Sequence, residues 1–251
     1  MKVMNVSRRV LTALLLAAPV SLVLANGVPA PKAIDGQGYR LVKDWDFGKN
    51  IRDGGDLRRE FHTRYIYENG KLDRLKPGGI ESGMLRSKWT GQYGYFEARV
   101  KVPAGRGLWP AFWLNPEDQV WPPEIDIMEI VDNGRDTTRN SFHYVHGYGP
   151  RKTRNVESKL DKAGSYRPGV DYADGLHTFA VEWTEDRVRH FVDDVMVVDR
   201  AYVWQHNDGR DAGPAHVLMN LAVGGGWPGA PSASTVFPAR LQVDYIRVWQ
   251  K

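Results

Sequence analysis

Short runs of strictly alternating apolar and polar residues set the limits on how this chain can fold. In YGYFEARVKV, residues 93–102, Tyr95, Glu97, Arg99 and Lys101 fall on one side of an extended strand. Phe96, Ala98, Val100 and Val102 fall on the other, because successive strand side chains point to opposite faces. Residues 175–200, GLHTFAVEWTEDRVRHFVDDVMVVDR, repeat the pattern as three strands broken by turns at Glu185-Asp186 and Asp193-Asp194. ARLQVDYIRVWQ, residues 239–250, alternates again and would close a sheet at the C-terminus. A 3.6-residue period is rare, and VDRAYVWQHNDGR, residues 198–210, is the candidate for one short helix. Many short strands punctuated by Gly, Pro, Asn and Asp predict one all-β domain, an antiparallel β-sandwich or jelly roll.

The N-terminus belongs to another category. MKVMNVSRRV is basic, and LTALLLAAPVSLVLA is apolar but short for a membrane span. Val23-Leu24-Ala25 fits a cleavage site before Asn26, so residues 1–25 read as a signal peptide and the product as secreted or periplasmic. Ser7-Arg8-Arg9 also fits a twin-arginine signal. Residues 26–38 form a Pro- and Gly-rich lead-in, and the folded domain is expected over 39–251.

Loss of Lys2, Arg8 and Arg9 with the signal takes the formal charge from +4 to +1. A near-neutral mature chain gives no footprint for nucleic acid. It is expected to act as a monomer, with no membrane contact once the signal is removed. There is no cysteine, so disulfides, thiol nucleophiles and thiolate metal sites are excluded. The core alone must hold the fold, which about 225 residues can manage. Nine Trp and eleven Tyr exceed the needs of a core and suit a surface that grips flat apolar faces such as sugar rings.

The segment WPPEIDIMEIVDNG, residues 121–134, concentrates the acids. Glu124, Asp126 and Glu129 are spaced by two and then three, so in a regular strand Glu129 would point away from the others. One extra residue around Ile127-Met128, a β-bulge, would return Glu129 to their face and leave Ile125 and Ile127 for the core. A generic solvated acidic edge is the plainer reading of such spacing, and the flanks decide against it.

EIDIME resembles the bulged catalytic motif of glycoside hydrolase family 16, a group of secreted β-glycanases. LWPAFWLN (108–115), YGYFEARVKVP (93–103), LHTFAVEW (176–183), MNLAVGGGWPG (219–229) and VDYIRVWQ (243–250) are similar to further family segments and occur in the family's order. The resemblance runs from about residue 39 to the C-terminus and implies a concanavalin-like jelly roll with a concave substrate cleft. It implies that Glu124 is the nucleophile, Glu129 the general acid/base, and Asp126 the neighbour that biases both. Glu124 is expected to be charged while Glu129 stays protonated. The two glutamates would lean together toward the ~5–5.5 Å carboxyl separation of retaining glycosidases.

The resemblance also assigns His143 to the neighbouring strand of the site and Arg86 to the cleft, where it would position Glu124 or a sugar hydroxyl. Trp109, Trp113, Trp121 and Trp227 would stack on sugar, with core packing the alternative for one of Trp109 and Trp113. No cofactor is expected for catalysis. Asp244, with Asp46 near it, matches the family's position for a structural calcium. The expected activity is endo-hydrolysis of a β-1,3- or mixed β-1,3/1,4-glucan. A galactan or bacterial exopolysaccharide substrate, transglycosylation, and a non-catalytic glycan-binding module are the competing readings. Two departures from the family pattern bear on substrate: Ile130-Val131-Asp132-Asn133-Gly134 after the motif, and the entry segment at 50–72. The basic stretch at 147–162, with Arg151, Lys152, Arg154 and Lys159, reads as a solvated loop or as a contact for acidic glycan.

Overall fold

The alternating run at 93–102 forms a strand with its apolar side turned inward. The structure, a computed structural model, describes residues 27–63, 82–131 and 170–251, together with short strands at 66–67, 71–72, 142–145 and 165–166. The chain runs through β1 (Arg40–Asp46), α1 (Gly54–Glu60), β2 (Phe61–His62), β3 (Ile66–Tyr67), β4 (Lys71–Leu72) and β5 (Met84–Gly91). β6 (Gly94–Lys101), β7 (Leu108–Pro116), β8 (Ile125–Glu129), β9 (Phe142–Val145) and β10 (Ser165–Tyr166) follow. β11 (His177–Trp183), β12 (Arg187–Val192), β13 (Val195–Ala201), β14 (Ala215–Val223) and β15 (Gln242–Gln250) complete it.

Two antiparallel sheets face each other. One has the order β1-β15-β6-β11-β12-β13 and the other β10-β9-β8-β7-β14-β5-β2, while β3 and β4 pair separately. Phe96, Ala98 and Val100 of β6 and Phe179, Val181 and Trp183 of β11 meet Phe112 and Leu114 of β7, Ile125, Ile127 and Met128 of β8, and Val217 and Met219 of β14. This dry layer is the sandwich core, and it fixes which side of each strand faces outward. The β12–β13 turn at Asp193-Asp194 has φ of 48° and 65°, the paired left-handed geometry that matches a tight hairpin to strand twist.

The short helix is not where the periodicity put it. Within 198–210, β13 continues to Ala201, and Tyr202 and Trp204 are then both buried. Extended chain buries residues two apart, and the pull of this core overrides the weak helical spacing. The helix is α1 instead. Asp53 caps it by accepting from the backbone N–H of Gly55 and Asp56, and Arg58 and Arg59 lie in its last turn. At seven residues it is too short to show a period. Among the described residues no helix is long and apolar enough to cross a membrane.

The lead-in is more than a tether. Ile34, 1% exposed, and Tyr39 pack with Tyr95, Ala180, Phe191 and Trp249 on the outer face of the six-stranded sheet. There the Tyr39 hydroxyl donates to Glu182 at 2.9 Å, and Arg189 donates to the same carboxylate at 2.6 Å. This gives buried Glu182 two donors. Truncating Ile34 to Ala is therefore expected to lower the unfolding free energy by about 2–5 kcal/mol, as read by urea denaturation, with the activity of the folded fraction unchanged.

Candidate active site

The ladder around β8 settles where its acids point. Phe112 of β7 pairs with Met128 and Ala111 with Glu129, but Trp113 pairs with Asp126. Ile127 is thus the extra residue of a bulge. On the other edge Asp126 pairs with Val145 and Glu129 with His143, three steps against two. Ile127 and Met128 are consequently both in the core, while Asp126 and Glu129 lie on the opposite face. Residues directly opposed in an antiparallel pair share a face. One row across the open face of the sheet is therefore Asp126, Trp113, Leu218 and Arg86, and the next is Glu129, Ala111, Asn220 and Met84.

Indole donors hold the two glutamates separately. Trp109 Nε1 donates to Glu129 Oε1 at 3.0 Å, and Trp121 hydrogen-bonds the Glu124 side chain. Trp109 also meets Trp227 edge to face, ring centroids 5.1 Å apart. Trp121 and Trp227 remain exposed, leaving ring surface open to a ligand. Trp113 Nε1 donates to Asn220 Oδ1 at 2.8 Å. Trp109 and Trp113 are both half-buried on the acid-bearing face, so neither joins the core.

Burial pushes the Glu124 carboxyl up to about 7, against the hydrogen bonds from Asp126 and Trp121, which favour its charged form. The Glu124 and Asp126 carboxyl groups are hydrogen-bonded to each other. Glu124 is the group that burial lifts, and Glu129 accepts an indole N–H.

Arg86 does not reach the acids as expected. It is buried three strands away from Asp126, roughly 14 Å at the usual strand spacing, and its Nη1 donates to Gln119. His143 stands opposite Glu129 in the β8–β9 register, while its side chain, His146 and the basic stretch at 147–162 lie outside the described residues. At Asp244 the donor set does not fit calcium. Its carboxylate accepts from Arg99 at 2.9 Å, and Asp46 is paired with Arg247 at 3.4 Å and Lys49 at 3.4 Å. Guanidinium and ammonium groups stand where metal–oxygen bonds would form, and no cluster of three or more metal-ligating side chains occurs among the described residues.

Asn220 and Gln119 escaped the sequence reading because they act through partners 107 and 33 residues away, and no local spacing signals that.

Glycosyl hydrolases family 16 matches residues 56–247. The chain is 33% identical over 247 residues to a beta-glucanase of Rhodothermus marinus, covering 86% of this chain and 82% of that protein. An endo-1,3-1,4-beta-glycanase of Rhizobium meliloti is 35% identical over 170 residues, 67% of this chain, and the chain spans only 33% of that protein's length. The solved laminarinase catalytic domain of Thermotoga maritima superposes with a TM-score of 0.61 at 26% identity, over 85% of this chain and 98% of that one. A jelly-roll sandwich with carboxylates on one face of a bulged strand is the frame of a glycoside hydrolase. This chain belongs to glycosyl hydrolases family 16.

A carboxyl raised by burial makes the folded state hold its proton more tightly than the unfolded one. That stability is present below the ordinary pKa near 4.5 and is lost as pH rises through about 7. Glu124→Gln, which never ionises, should therefore unfold at higher temperature than the wild type at pH 8. The difference should shrink as pH falls to 5, as followed by calorimetry at each pH.

Proposed function

We propose that the chain is an endo-β-glucanase that cleaves β-1,3- or mixed β-1,3/1,4-glucan with retention of configuration. The observation behind this reading is the Ile127 bulge, which puts Asp126 and Glu129 on one face next to Glu124, each glutamate with its own indole donor. The glucanase names of the relatives support the substrate class.

In the first step Glu124 attacks the anomeric carbon while Glu129 gives its proton to the departing glycosidic oxygen. A covalent glycosyl-enzyme and a shortened glycan result. Glu129, now charged, takes a proton from water, whose oxygen attacks the anomeric carbon and releases Glu124. Asp126 hydrogen-bonds Glu124, offsetting part of the desolvation that opposes the ionised nucleophile. Trp109, Trp121 and Trp227 present ring faces and edges to the sugars. The chemistry needs only the two carboxyl groups, so no cofactor enters it. We place the mature protein outside the cytoplasm, exported by residues 1–25.

Glu124→Gln and Glu129→Gln are each expected to lower kcat on laminarin or mixed-linkage glucan by at least ~10³-fold while leaving the fold intact by circular dichroism. The first product followed by NMR should carry the β-anomer, and an inverted product would remove Glu124 from the nucleophile's role. Because Glu124 must be ionised to attack, kcat/KM should decline as pH falls below about 7.

A further inference from the structure

The strand that carries the acids is held from behind by three side chains of the other sheet and the segment following it. His190 Nε2 donates to the Asp126 carbonyl at 3.1 Å, the Tyr202 hydroxyl to the Glu124 carbonyl at 3.2 Å, and His206 Nδ1 to the Pro122 carbonyl at 2.9 Å. The acceptors are alternate residues, 122, 124 and 126. The donors lie 64, 78 and 84 residues further along the chain, on β12 or after β13.

Their surroundings make this arrangement specific. His190 is fully buried, between Val188 and Val192 on the inner face of β12, in the hydrophobic layer between the sheets. A histidine there is costly unless it is hydrogen-bonded. β13 has a register shift beside it, between the pairs His190–Val198 and Phe191–Met196, so a second irregularity in the opposite sheet adjoins the donor to the first. Tyr202 and His206 are also buried, and His206 Nε2 faces the Asp118 carboxylate at 3.2 Å. Pro122 and Glu124 precede the first residue of β8, and Asp126 sits where the bulge interrupts pairing. This is the part of the strand that its own ladder constrains least.

We propose that His190, Tyr202 and His206 are positioning residues, a clamp that fixes the height and tilt of Glu124 and Asp126 through the main chain. The proposal rests on the catalytic reading of Glu124 given above. Each of the three meets the acid-bearing segment at a backbone carbonyl, so its hold on the carboxylates is transmitted by the backbone. Their role is to keep the nucleophile within the narrow geometry that in-line attack tolerates.

Tyr202→Phe deletes one hydroxyl and no ring volume, and decides the matter even if substitutions at His190 fold poorly. On laminarin its kcat is expected to fall roughly 10- to 100-fold, with KM within about two-fold of wild type. His190→Leu should show the same split, and His190→Gln, which restores an N–H donor, should recover most of the lost kcat. A purely structural contact would instead lower the unfolding midpoint of Tyr202→Phe and leave the kcat of the folded enzyme unchanged, and that result overturns the clamp. Glu124→Gln measured alongside separates the two readings. If it is inactive while Tyr202→Phe keeps wild-type kcat, the clamp alone fails. If it keeps the wild-type rate, the catalytic pair fails and the clamp with it.

Discussion

One unpaired residue, Ile127, governs the geometry of everything else in the site. Side chains in a strand alternate, so an acid three positions after Asp126 belongs to the core side unless the ladder slips. The slip is held in place by what it buries. Ile127 and Met128 both enter the core beside Phe112 and Ile125, and regular pairing would put Glu129 among them. An uncompensated carboxylate in that layer would cost far more than the irregularity. Hydrophobic packing behind the strand therefore enforces the arrangement of charge in front of it.

That arrangement brings its own electrostatic tension. Burial raises Glu124, and hydrogen bonds with Asp126 and Trp121 oppose the rise, so the group is poised near neutrality rather than far below it. Sites that need a charged group in a dry setting commonly sacrifice stability to have it. Trp109 makes a similar contact with Glu129 and at the same time abuts Trp227. One indole thus joins the acid to an exposed aromatic surface. The opposite side of the sandwich carries a similar tension at Glu97, whose carboxyl burial pushes up against the hydrogen bond from Tyr245. Its buried acids are matched by tyrosines and arginines, as in Tyr39–Glu182–Arg189 and Tyr245–Glu97, and the lead-in covers part of that face.

Much of this was legible because the signals are local. Two-residue alternation gave β6 with its correct inward face, and β11, β12 and β15 as strands, since side-chain direction in extended backbone is a matter of parity. The two-then-three spacing of EIDIME gave the bulge, and the ordered flanking segments gave the family. The helix was misplaced because its evidence was a cap, Asp53, rather than a period, while the pattern at 198–210 yielded to burial of Tyr202 and Trp204. Arg86 was given by resemblance to Glu124 or to a sugar hydroxyl, and strand order, which inserts β14 and β7 between β5 and β8, speaks against the first. Asp244 was read as a metal ligand, yet the pairing of β6 with β15 sets Arg99 against it.

The strands, the acids and the need for a bulge were already written in the chain, because each follows from the spacing of neighbouring residues. Folding alone established that burial raises Glu124 beside Asp126, which indole reaches which glutamate, and that His190, Tyr202 and His206 meet the back of the acid-bearing strand. Those outcomes depend on the order of strands in two sheets and on the depth of burial between them. Hydrogen bonds across 64 to 84 residues leave no trace in local spacing.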